Sequence, residues 1–146
     1  MIYTKTETHR FDDTIIRSVD ALINASYFDQ RYWNHKAHIQ PQLLHSEFRT
    51  LSLSLPRRCG KTTYLAKLAK YFKLRGKSVI VFAPKLEMIR REPWSEMQNL
   101  NKMSYEMFKK SDRCYRSISA DIILYDEVFD FEHYGDDFTV SLHTRI

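Results

Sequence analysis

Apolar side chains recur along this chain with two alternating periods. Over residues 8–28, Phe11, Ile15, Val19, Leu22 and Ile23 fall at helical spacing, and Asp12 and Asp13 stand near the start, where a helix dipole favours negative charge. The pattern predicts an amphipathic helix packed on a core. Leu51, Leu53 and Leu55 then alternate with serines, which predicts a strand over residues 50–55, closed by Pro56 because proline lacks the N–H of a central strand. From Lys61 the period becomes helical again. Leu65, Leu68, Ala69 and Phe72 fall on one side, Lys67, Lys70, Lys73 and Arg75 elsewhere as a solvated face, and Gly76 marks the C-terminal stop. Residues 78–84 are almost uninterrupted apolar and β-branched, the mark of a buried parallel strand. Strand, crossover helix and second strand make one βαβ unit.

Downstream, residues 85–91 read as a short helix stopped by Pro93. Residues 94–110 read as another, with Met97, Leu100, Met103 or Ser104, and Met107 filling a core. The polar stretch 111–119, with Arg113 and Arg116, reads as a loop. In 121–127 an apolar run delivers paired carboxylates, Asp126 and Glu127, to the C-terminal edge of a strand, where ligands bind in open α/β sheets. After the acidic stretch 130–137, with Gly135 as a turn, residues 138–144 give a last strand ending in Ser141, His143 and Thr144. The fold class expected is α/β, with a mostly parallel central sheet flanked by helices.

Composition narrows the class without identifying the chemistry. A chain of 146 residues, 43% hydrophobic and 28% charged, suits one soluble domain, with a helical segment over 1–48 and the sheet core over 49–146. The net charge of +5 suits an anionic partner such as nucleic acid, and equally suits a merely soluble surface. No apolar run approaches the roughly 18 residues of a membrane span, and the polar start is no signal peptide, so a cytoplasmic protein without membrane contact is expected. Cys59 and Cys114, the only cysteines, have no spacing that suggests zinc or a disulfide framework. The segment 27–48 carries Tyr27, Phe28, Tyr32, Trp33, His35, His38 and His45, but no acidic or cysteine ligands interleaved at fixed spacing, so no metal site is expected there.

The chemistry gathers at the junction of the leucine–serine strand with the helix that follows it. Unpaired N–H groups at a helix start carry the positive end of its dipole, so a loop that turns several of them inward cradles phosphate oxygens. Residues 58–63, Arg58-Cys59-Gly60-Lys61-Thr62-Thr63, fit such a loop. Gly60 allows close backbone approach, Lys61 reaches β- and γ-phosphates, and the Thr62 hydroxyl holds Mg²⁺. The usual pattern has a second glycine where Leu55 stands, and Cys59 is a small filler rather than a nucleophile. Asp126 suits the same Mg²⁺, while Glu127 suits activation of an attacking water. If the last strand lies between the loop strand and the Asp126 strand, a hydroxyl at its end sits where it can sense a γ-phosphate; an ordinary strand end is the plainer reading. Upstream, Gln42, with Gln40 second, offers an amide that can pair with an adenine edge, and a solvated turn accounts for both equally well. Loop and carboxylates together predict a Mg²⁺-dependent nucleotide hydrolase.

The stretch Pro56-Arg57-Arg58-Cys59-Gly60-Lys61-Thr62-Thr63 resembles the variant phosphate loop of large terminase subunits, the ATPases that package DNA in tailed bacteriophages. The resemblance covers roughly residues 39–144, in the order upstream glutamine, loop, apolar strand, Asp-Glu strand and strand with a small hydroxyl residue. It implies a P-loop NTPase of the additional-strand, catalytic-glutamate type, in which Arg57 stabilises the transition state from within the loop. It further implies double-stranded DNA as partner, a homo-oligomeric ring, other packaging proteins, and the cytoplasm of an infected cell. Pro56 replaces the family's usual serine. Family members are longer and carry a nuclease, so the resemblance implies a minimal or excised ATPase core with any nuclease absent or encoded elsewhere. Three other readings stay open: a helicase-like ATPase fragment, for whose second motor domain this length leaves no room; a small-molecule kinase, which does not need Glu127; and a nucleotide-binding assembly or regulatory module with little hydrolysis.

Overall fold

In the computed structural model, which describes residues 5–36, 38–40, 45, 47–55, 60–98, 100–110, 120–128 and 138–144, the strand patterns join into one sheet. Its strands are β1 (Thr50–Leu55), β2 (Val79–Ala83), β3 (Asn101–Ser104), β4 (Ile122–Asp126) and β5 (Phe138–Thr144). Their spatial order is β1-β5-β4-β2-β3, and every pairing is parallel. The last strand in sequence therefore lies between the first strand and the strand that ends in Asp126. Helices α1 (Lys5–Phe28), α2 (Gln30–His35), α3 (Lys61–Leu74), α4 (Leu86–Ile89) and α5 (Tyr105–Lys110), with a 3₁₀ turn at Trp94–Glu96, complete the described elements. Among the described residues, no helix is long and apolar enough to cross a membrane.

Side chains alternate between the faces of a strand, and here both faces are covered. On one face Val79, Val81, Ala83, Ile122, Leu124, Phe138, Val140 and Leu142 meet Leu65, Leu68, Ala69 and Phe72 of α3 and Ile16, Val19 and Ile23 of α1. On the other, Ile80, Phe82, Ile123 and Tyr125 meet Tyr105 and Phe108 of α5. The Phe82 and Tyr125 rings stack at 5.3 Å, and Tyr105 meets Phe82 edge-on at 5.7 Å, geometries that aromatic quadrupoles favour. Double coverage explains why β2 and β4 are buried along their whole length and read as unbroken apolar runs.

Two expectations need correction. Leu22 is 49% exposed, and the inward stripe of α1 passes instead through Ile16, Val19, Ile23 and Ser26, whose hydroxyl donates to the Ile23 carbonyl at 2.7 Å. Residues 94–110 are not one helix: a 3₁₀ turn at Trp94–Glu96 leads to β3, and a helix begins only at Tyr105. The uncovered edge of β2 recruits Asn101–Ser104 as a strand, a tertiary demand that outweighs the methionine spacing. Ser104 then serves as the cap of α5, accepting from the Met107 N–H at 3.4 Å, and Met107 is 60% exposed rather than inward. The Pro56 stop, the 111–119 loop, the Gly135 turn and the side chains of Phe11 and Ile15 lie outside the described residues.

The end of α3 follows the sequence signal. Gly76 has φ +79°, its N–H donates to the Lys73 carbonyl at 3.1 Å, and the Lys77 N–H reaches the Phe72 carbonyl at 3.0 Å, the paired bonds of a Schellman stop. A Cβ on Gly76 would meet nothing within 4 Å, so substitution costs backbone conformation alone. Gly76→Ala is expected to lower unfolding free energy by about 1 kcal/mol in urea titration; an unchanged midpoint would show that the left-handed conformation is not held in solution.

Candidate functional site

Each chemical group at the C-terminal edge of the sheet is placed by a simple local rule. Gly60 precedes α3 with φ +85°, a conformation that suits glycine, and its carbonyl accepts the Tyr64 N–H at 2.9 Å as the helix starts. Lys61 and Thr62 therefore occupy the first turn. In β4, residues 122 and 124 face α3, so period-two alternation puts Asp126 on the same face, under that turn. The Thr62 hydroxyl lies 3.0 Å from Asp126 Oδ2 and 3.2 Å from Oδ1 and donates to the carboxylate. Glu127, just beyond the strand, adopts φ +61°, uncommon for a residue with a Cβ, and its N–H donates to the Leu142 carbonyl at 2.9 Å. That turn aims its carboxylate along the end of β5, where the Thr144 N–H donates to Oε2 at 2.9 Å and the Thr144 hydroxyl to Oε1 at 2.6 Å. The buried Lys61 ammonium stands 3.5 Å from the same Oε1.

The two carboxylates titrate in opposite directions. Burial pushes Asp126 above the usual aspartate value, against hydrogen bonds from Trp94 and Thr62, and the nearby Glu127 charge adds to the rise. For Glu127, burial also acts upward, but the Thr144 hydroxyl and N–H together with the Lys61 ammonium outweigh it and hold the group below the usual glutamate value. Glu127 is thus kept as an anion, while the Asp126 charge is a tolerated cost.

Among the predicted site residues, Gly60, Lys61, Thr62, Asp126 and Glu127 come together, and Thr63 is exposed on the same helical turn. Thr144 is the hydroxyl at the end of β5. Ser141 is not at the site: alternation turns it to the opposite face, where it is fully buried and donates to the Val128 carbonyl. Gln40 is exposed, and Gln42, Arg57, Arg58 and Cys59 lie outside the described residues. One participant carries no signal in the sequence. Trp94, 1% exposed, donates its indole N–H to Asp126 Oδ2 at 3.1 Å from the excursion between β2 and β3.

The donor set fits Mg²⁺ bound with a nucleotide. That ion takes one or two protein oxygens and completes its octahedron with phosphates and water, and Thr62 and Asp126 supply such a pair. Among the described residues no group of three or more His, Cys, Asp or Glu side chains is placed to hold a metal without that help.

A folded-state pKa above the unfolded value means that the ionised Asp126 carboxylate costs stability. The cost is complete above the raised value and fades as pH falls through it toward the ordinary aspartate value. Asp126→Asn is therefore expected to stabilise the metal-free protein at pH 7, with the gain shrinking in acid; thermal melts in chelator across pH measure it, and a less stable variant at pH 7 contradicts it. Comparison with protein-family models, with curated proteins and with solved structures finds no match for this chain.

Proposed function

We propose that this chain hydrolyses ATP with Mg²⁺ as a P-loop NTPase of the additional-strand, catalytic-glutamate type, working as a nucleic-acid motor most like the phage DNA-packaging ATPases. The observation that carries the reading is the meeting of Thr62 and Lys61 with Asp126 and Glu127, across 64 residues of sequence, at one edge of a parallel sheet. The position of β5 between β1 and β4 supports the fold assignment. The Pro56-Arg57-Arg58 lead-in supports the packaging assignment, with Arg57 as the transition-state cation, Arg58 and Cys59 within the phosphate loop and Gln42 beside the base.

In this mechanism the N–H groups at the start of α3 and the Lys61 ammonium bind the β- and γ-phosphates. Thr62 and Asp126 would hold Mg²⁺, which when bound neutralises charge on those phosphates. A γ-phosphate offers Lys61 a denser anion than Glu127 does, so binding draws the lysine away from Oε1. The glutamate, ionised and still oriented by Thr144, then accepts a proton from a water aligned with the γ-phosphorus. Water oxygen bonds to phosphorus as the bond to the β-phosphate oxygen breaks, yielding ADP and phosphate. Double-stranded DNA suits the +5 charge as partner, and a ring of copies follows from the family likeness alone.

A second reading is favoured by the contacts of Glu127 itself. Lys61 and Thr144 occupy both of its oxygens, as befits a module that binds nucleotide and turns it over slowly. Phosphate release with and without double-stranded DNA separates the two. On the motor reading DNA stimulates release, and Glu127→Gln lowers it by at least about a hundredfold while ATP binding persists. Equal turnover in parent and variant would remove Glu127 from the mechanism, and tight binding without release would favour the module.

A further inference from the structure

The Asp126 carboxylate has a donor that the hydrolysis scheme does not use. Trp94 is buried to 1% exposure in the core beneath α3, and its backbone carbonyl accepts the Lys102 ammonium at 2.6 Å, which ties the 3₁₀ turn to β3. Its indole N–H meets Asp126 Oδ2 at 3.1 Å, and the Thr62 hydroxyl meets the same oxygen at 3.0 Å. A carboxylate oxygen offers about two lone-pair directions; Oδ2 engages the indole and the nearer arm of the Thr62 hydroxyl, whereas Oδ1 receives only the longer arm of that hydroxyl, at 3.2 Å. The two donors differ in kind. A hydroxyl can donate to Asp126 while its own lone pair faces a cation; an indole N–H has no lone pair to give and can only donate.

Building on the nucleotide-hydrolase reading, we infer that Trp94 is a positioning residue for the cation: it engages Asp126 Oδ2, leaves Oδ1 as the oxygen freer to face the metal, and so favours Mg²⁺ over Ca²⁺. Mg²⁺ is content with single oxygens in a compact octahedron, whereas Ca²⁺ gains from bidentate carboxylates and a larger coordination number. A carboxylate with one oxygen withdrawn serves the first ion and handicaps the second. The indole also prevents rotation of the carboxylate about χ2, because rotation would leave a buried N–H without an acceptor. The Trp94–Asp126 hydrogen bond itself is buried, out of reach of solvent.

The test is Trp94→Phe, which keeps an aromatic ring and removes the donor. Calorimetric titration with the β,γ-imido analogue of ATP, at graded Mg²⁺ or Ca²⁺, is expected to show Mg²⁺-dependent affinity about tenfold weaker, as for other residues that orient a metal ligand, and Ca²⁺-dependent affinity equal or improved. A purely structural role would weaken both ions alike. Circular dichroism confirms that the variant is folded. Should Trp94→Phe not fold, the parent chain gives a second readout. The sequence has two tryptophans, and Trp33→Phe, a change at a half-exposed surface ring, leaves Trp94 as the sole emitter. Its emission is then expected to change when Mg²⁺ is added to the analogue-bound protein. Unaltered ion preference in a folded Trp94→Phe, or no change in emission at saturating Mg²⁺, overturns the role of Trp94. Absence of any nucleotide binding by the parent chain overturns the hydrolase reading itself, and this inference with it.

Discussion

A carboxylate that is almost fully buried at the end of a central strand is the constraint on which this structure turns. Asp126 is 1% exposed, and an ionised oxygen at that depth demands donors. Thr62 answers from the first turn of α3 and Trp94 from the excursion between β2 and β3. These bonds pin the helix start and a distant turn to the same point of the sheet edge; burial still raises the carboxyl pKa, because the donors reduce its cost without cancelling it. Such a cost is consistent with the proposed role of Asp126 in holding a cation.

Beside it, Glu127 solves a different problem. Its left-handed backbone turns the side chain out of the strand period and toward the end of β5, where N–H and hydroxyl of one residue, Thr144, grip both oxygens. Adjacent carboxylates in sequence thereby acquire separate environments, one buried against neutral donors and one anionic beside Lys61. Divergent environments are what a division of labour between holding a cation and accepting a proton requires.

Much of this was legible in the residues because the relevant rules are local. An alternating run gave β1 its place, unbroken apolar runs gave β2 and β4 theirs, residues 138–144 gave β5, Gly76 gave the end of α3, and Gly60-Lys61-Thr62 with Asp126-Glu127 gave the two halves of the candidate site. Their meeting depends on the parallel order β1-β5-β4-β2, which the sequence only suggests through its apolar runs. What stayed hidden was tertiary. Asn101–Ser104 is too polar to announce a strand and becomes one because β2 has an edge to fill. Trp94 reads as an ordinary apolar residue, and only the folded path of the 84–100 segment brings its N–H to Asp126. Ser141 and Thr144 look alike on a strand end, and register and alternation decide which of them faces the site.

In the proposed mechanism a water molecule, prepared by Glu127, attacks a phosphate bound over Lys61 and Thr62. Incubating the chain with ATP and Mg²⁺ in ¹⁸O-enriched water and weighing the released phosphate tests it most directly. One ¹⁸O per phosphate is predicted from the parent, with labelled phosphate released at least about a hundredfold more slowly by Glu127→Gln; no released phosphate, or release that leaves ¹⁸O out, would contradict it.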